Sequence, residues 1–191
     1  MSLAKSYPTV PVSEYLEMER MSEIRHEYLD GQVYMMAGES PRHSNICFNL
    51  YTAIGIRLRG KTCRGFSPNM KIATNNKGLY AYPDLAVVCG EPKYHDKKGD
   101  ILLNPTIIFE VLSPSTQYYD RGEKFLRYTN FIKSLTDYVL ISQDKPLVEH
   151  FSKQPDNSWK SVVIQGLDAV LSFPTIEIEI PLGELYEQIS F

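Results

Sequence analysis

An α/β fold, layered around a central mixed β-sheet and finishing in additional C-terminal strands, is what this sequence predicts. Helical and strand-like patterns alternate through the middle of the chain, two of the strand candidates are apolar on both faces, and the tail reads as strands separated by turns.

Ser13 to Arg20 reads as a short helix. Glu27-Tyr28-Leu29-Asp30-Gly31-Gln32-Val33-Tyr34 follows, and its Asp-Gly step between apolar flanks predicts a turn or hairpin. Ser40 as N-cap and Pro41 at the first helical position open a helix to about Arg59, with Ile46, Cys47, Leu50, Ile54 and Leu58 at helical spacing. Strands are expected around Met70 to Thr74, Tyr82 to Cys89 and Thr106 to Leu112. Asp120-Arg121-Gly122-Glu123 fits a capping box that starts a helix through about Lys133. Asp137 to Ser142, Leu147 to Phe151 and Trp159 to Ile164 then read as strands, with turns at Gln143-Asp144-Lys145-Pro146 and Pro155-Asp156-Asn157.

No repeat, low-complexity tract or linker divides the chain, so one domain over residues 1–191 is expected, large enough to fold without a disulfide or structural metal. A hydrophobic fraction of 43% and a charged fraction of 23% exclude a disordered or fibrous chain. Cys47, Cys63 and Cys89 match neither a CxxC zinc pair nor an even disulfide framework, which points to a reducing compartment. Met1 to Tyr7 holds no apolar stretch, and no segment approaches the roughly 20 apolar residues of a membrane span, so a cytoplasmic protein with no membrane partner is expected.

The net charge of −3 excludes a protein that coats nucleic acid through bulk positive charge. Its distribution is uneven. Pro41 to Tyr80 carries Arg42, Arg57, Arg59, Lys61, Arg64, Lys71 and Lys77 and no acid, whereas Ile164 to Phe191 carries Asp168, Glu177, Glu179, Glu184 and Glu187 and no Lys or Arg. The basic segment would attract a polyanion locally, and Arg42, His43 and Lys71 are its candidate nucleic-acid contacts; ordinary solvated charge is the alternative.

Glu110 stands alone in Thr106-Ile107-Ile108-Phe109-Glu110-Val111-Leu112, a run apolar on both faces. An ionised carboxylate there costs several kcal/mol unless it is paired or binds a cation. Asp84 opens another apolar run, after Pro83, and Asp is disfavoured in strands. Were the two strands neighbours, the carboxylates would converge, and a divalent cation would relieve their repulsion. A turn cap at Asp84 and an ion pair at Glu110 are the alternative. Lys124 shares a helical face with Tyr128 and Phe131, aimed inward to balance charge on a phosphorane, or else it is a snorkelling surface lysine. His43 lies in the first turn of its helix, placed to donate to a phosphate, to orient a carboxylate, or simply to satisfy a helix-start hydrogen bond.

Pro83-Asp84 with Glu110 resembles the PD-(D/E)XK nuclease superfamily. The ordered strings RHEYLDGQVYMM, SPRHSNICFNL, YPDLAVVC, EVLSPST and DRGEKFLRY further resemble its Uma-type family of "putative restriction endonucleases", over about Ser13 to Gln143. The resemblance implies a restriction-endonuclease-like α/β/α core. It implies a metal-dependent endodeoxyribonuclease with Mg²⁺ (Mn²⁺ as substitute) on Asp84 and Glu110, double-stranded DNA as substrate, and a homodimer. The third position of the E-x-K element is Leu112, so the resemblance carries the lysine's role to Lys124 and adds Glu27 as an acidic auxiliary. Leu112 also keeps a rival open, a catalytically inactive module that binds nucleic acid or a protein partner. A metal-dependent hydrolase of another anionic ester is a more distant one.

Overall fold

A computed structural model describes residues 9–74 and 78–191. Met1 to Tyr7 and Lys77 therefore lie outside the described residues.

After helix α1 (Val12–Met21), strands β1 (His26–Leu29) and β2 (Gln32–Met35) form the expected hairpin. Its turn puts Asp30 and Gly31 at φ of 48° and 90°, the left-handed pair that an Asp-Gly step supplies. At Gly31 a Cβ would also lie 2.6 Å from that of Thr9. Helix α2 (Pro41–Arg57) starts as the sequence indicates, the Ser40 side chain accepting from the backbone N–H of His43.

Strands β3 (Cys63–Phe66), β4 (Lys71–Ala73), β5 (Leu79–Ala81), β6 (Leu85–Cys89), β7 (Ile101–Leu102) and β8 (Ile107–Val111) follow. The strand expected from Tyr82 to Cys89 starts only at Leu85, as β6, and the residues just before it, Leu79–Ala81, form β5 in a different sheet. Pro83, lacking an N–H, stands at the break. Next come a short helical turn α3 (Gln117–Tyr119), a π-helical turn (Asp120–Lys124) and α4 (Phe125–Phe131). The helix therefore begins before Asp120, which is not its N-cap. Strands β9 (Asp137–Ile141), β10 (Leu147–Lys153), β11 (Trp159–Gln165), β12 (Val170–Phe173) and β13 (Ile178–Pro181) and helix α5 (Leu182–Leu185) complete the chain.

The main sheet runs β11-β10-β9-β8-β6-β3, mixed through the parallel β8–β9 pair. Both of its faces are covered. Leu85, Val87, Ile107, Phe109, Val139 and Ile141 pack with α2, β12, β13 and α5; the alternate residues Ala86, Val88, Ile108, Tyr138 and Leu140 pack with Tyr128 and Ile132 and with strands β4, β5 and β7. Those strands belong to a second sheet, β2-β1-β5-β4-β7, whose other side is covered by Tyr15 and Leu16 of α1. Added strands were expected only at the C-terminus; the larger addition is this sheet.

Cys63 and Cys89 stand opposite each other in the β3–β6 register and form a disulfide, while Cys47 is a buried free thiol. This corrects the expectation of unpaired cysteines and removes the cysteine argument for a reducing compartment. Among the described residues no helix is long and apolar enough to cross a membrane.

Candidate active site

A cavity of about 690 Å³ opens between the main sheet, the hairpin, the start of α2 and the π-helical turn, lined among others by Glu27, His43, Asp84, Glu110, Asp120 and Lys124. Strand register brings the two central acids together. Leu85 pairs with Phe109 across antiparallel β6 and β8, and one step further sets Asp84 against Glu110. Asp84 sits just before β6, so its carboxylate is free to turn inward, where Oδ2 accepts the Val111 N–H at 2.6 Å.

Lys124 reaches this pair from the π-helical turn. Its Nζ lies 3.1 Å from Glu110 Oε1, 3.1 Å from Glu27 Oε1 and 3.4 Å from Asp120 Oδ1, with both Lys124 and Glu110 buried. The π-turn turns Asp120 and Lys124 inward together, and the Asp120 carbonyl accepts from the Tyr138 hydroxyl at 2.9 Å. Leu112, at the third position of the E-x-K element, is in the core beside Tyr128. Glu27 comes from β1, where its Oε1 also accepts the Tyr82 N–H at 3.2 Å.

Three carboxylates thus crowd one ammonium, and a fourth, Asp84, stands across the strand pair from Glu110. Glu110 Oε1 is close enough to Lys124 for an ion pair but lacks hydrogen-bond geometry to any donor among the described residues. Burial pushes the Glu110 carboxyl well above the usual range, and Asp120, Asp84 and Glu27 add to this against the pull of Lys124. Burial alone would lower the Lys124 ammonium, but Glu110 and Glu27 outweigh it, and Lys124 stays charged. The orphaned oxygen and the surplus of acids fit a hard divalent cation, which oxygen ligands bind best.

His43 projects from α2 with Nε2 3.5 Å from Asp84 Oδ2 and Nδ1 3.7 Å from Glu39 Oε2. Burial lowers its pKa, but Asp84 and Glu39 prevail and hold it above 6.5. Behind it, Cys47 Sγ lies 3.5 Å from Nδ1. Burial and then Asp84 push that thiol's pKa up.

Arg42 does not line the cavity; its guanidinium donates to the carbonyl of Gln143, a lining residue, at 3.4 Å and lies 3.9 Å from Asp144. Lys71 does not reach the cavity either. Expected on a nucleic-acid face, it is buried instead, donating to the Tyr82 hydroxyl at 3.1 Å with Asp100 at 3.6 Å, because β4 is covered on both faces. Among the described residues of the basic segment, Arg57 also pairs with Glu184, Lys61 with Glu177 and Arg64 with Glu91. Asp120 is the site acid that the sequence reading did not assign; its i,i+4 spacing to an inward lysine is the signal that marks it.

A mixed sheet covered on both faces, with the cavity at the break between β5 and β6, defines a layered α/β fold. It is shared with the crystal structure of a putative nuclease from Anabaena variabilis, at a TM-score of 0.76 and 18% identity over 94% of this chain and 100% of that one. Residues 12–183 match the Uma2 family, described as "Putative restriction endonuclease", and the chain belongs to that family. It is 34% identical to the uncharacterized protein slr1290 of Synechocystis over 97% of this chain and 95% of that protein, and 30% identical to sll1609 of the same organism over 93% and 100%.

Proposed function

We propose that the protein is a Mg²⁺-dependent endonuclease that hydrolyses phosphodiester bonds of DNA. The observation that carries this reading is Lys124 held 3.1 Å from the orphaned Glu110 oxygen in the cavity that Asp84 also lines. Asp84 and Glu110 would hold the cation, Mn²⁺ serving as a substitute. When bound, such an ion supplies Lewis acidity at a phosphoryl oxygen and lowers the pKa of a coordinated water.

The chain's own residues do the rest. Lys124 orients the attacking water and balances charge as phosphorus becomes five-coordinate. Water oxygen bonds to phosphorus, the bond to the leaving sugar oxygen breaks, and the water's proton ends on that oxygen. Glu27 and Asp120 fix the ammonium, and His43 donates a ring N–H to a phosphate oxygen. Arg42 contacts the backbone beside the cavity. Cutting both strands of a duplex calls for two copies of this site, so we read the working form as a homodimer.

Plasmid cleavage with added Mg²⁺ tests the reading. Asp84→Ala and Glu110→Ala are expected to abolish cleavage with the fold intact, and Lys124→Met to slow it about 10²- to 10³-fold. Equal activity in parent and variants would remove the assignment. Leu112 at the lysine position of the E-x-K element keeps one rival open, a module that binds without cutting, and a parent that binds Mg²⁺ but never nicks the plasmid would select it.

A further inference from the structure

Beside the hard, all-oxygen seat lies a second set of donors of different character. His43, Cys47 and Asp84 each offer one ligand atom, and the three atoms lie within 4.8 Å of one another. Neighbouring ligand atoms around a tetrahedral zinc ion are about 3.3–3.8 Å apart, given Zn–N and Zn–S bonds of about 2.0–2.3 Å. The separations here, 3.5 Å from Cys47 Sγ to His43 Nδ1 and 3.5 Å from His43 Nε2 to Asp84 Oδ2, are of that order. One ion takes only one ring nitrogen, so closing the site requires the imidazole to turn. His43 and Cys47 are one helical turn apart on α2, which keeps both aimed the same way. Asp84 lines the cavity, and Glu39, 3.7 Å from His43, stands at its rim, leaving the fourth position to water or that carboxylate.

We propose that His43, Cys47 and Asp84 form a binding site for a thiophilic divalent ion of the Zn²⁺ class, distinct from the Mg²⁺ seat but sharing Asp84 with it. Thiolate and imidazole select Zn²⁺ or Co²⁺ and reject Mg²⁺, which takes oxygen ligands. On binding, the Cys47 S–H bond breaks, its proton leaves to solvent, and the sulfur lone pair bonds the ion with no redox change. Because Asp84 cannot serve both ions fully, occupancy of this site weakens the other, and Zn²⁺ becomes an inhibitor of Mg²⁺-dependent cleavage.

The test is spectroscopic and needs no nuclease activity. The chain has three cysteines and two are disulfide-bonded, so under non-reducing conditions any sulfur-to-cobalt charge-transfer band reports Cys47. Titrating the full chain with Co²⁺ is expected to give that band in the near ultraviolet, and added Zn²⁺ to erase it. Cys47→Ser, checked for fold by circular dichroism, is expected to lack the band and to bind Co²⁺ at least about tenfold more weakly. Glu110→Gln, which disables the proposed Mg²⁺ seat, is expected to keep it. No charge-transfer band in the parent, or one unchanged in Cys47→Ser, would overturn the proposal whether or not the protein cuts DNA.

Discussion

At the scale of single residues, Glu110 is held in a surrounding that disfavours its charge. Its carboxyl in the folded chain keeps its proton to a higher pH than the 4.5 of an unperturbed group. The folded state therefore binds the extra proton above about pH 4.5, and the stability of the metal-free protein falls as pH rises through that window. Lys124 does not offset this trend, since its own pKa is raised and its charge is already in place throughout. Metal-free Glu110→Gln is accordingly expected to be more stable than the parent at neutral pH, on the order of 1 kcal/mol, with the gap closing toward pH 4. Thermal unfolding in chelator across that range checks this; a variant less stable than the parent at neutral pH would mean that Glu110 is a satisfied structural ion-pair partner. Asp84 and Glu110 stood out in the sequence because each broke an apolar run. Lys71 misled for the opposite reason: a lysine among other basic residues reads as surface charge, and only the coverage of β4 on both faces buries it.

Among the elements, those governed by local chemistry were legible. The Asp30-Gly31 hairpin and the Ser40-Pro41 start of α2 follow from backbone preferences of the residues themselves. The cap has functional consequences. Ser40 Oγ accepts from the His43 N–H at 3.1 Å and donates to Gln143 Oε1 at 2.9 Å, tying the His43 turn to the loop after β9. Ser40→Ala is expected to cost about 1 kcal/mol in urea unfolding with an unchanged m-value. A loss within experimental error would show that Pro41 and the packing of α2 suffice. The π-turn was not legible. Asp120-Arg121-Gly122-Glu123 has the residues of a capping box, but the preceding Ser113-to-Thr116 turn starts the helix earlier, with the Gln117 N–H bonding to the Ser113 carbonyl. Asp120 is thereby moved from a helix end to the inner face, beside Lys124. The start of β6 after Pro83 was partly visible, since a proline marks a strand opening, but β5 and the sheet that each strand joins depend on distant partners.

For the whole molecule, the uneven charge along the chain resolves in part into internal pairing. Arg57 at the end of α2 and Lys61 just beyond it meet Glu184 and Glu177 of the acidic C-terminal segment, so part of the segregation seen in sequence serves to pair these two segments. The alternation of helix and strand conveyed the doubly covered sheet. The second sheet remained hidden because β5 and β7 are only three and two residues long, too short for a period to show. That sheet matters to the site, for it brings Glu27 on β1 against Lys124, and an ion pair from Asp30 to Arg127 ties the hairpin to α4. The central claim is that Asp84 and Glu110, held across neighbouring strands, share one divalent ion beside Lys124. Anomalous diffraction from Mn²⁺-soaked crystals tests it most directly. The expected result is a peak touched by carboxylate oxygens of both acids and absent in Glu110→Gln; a cavity with no peak, or an ion held by one acid while the other stays paired with Lys124 alone, would contradict it.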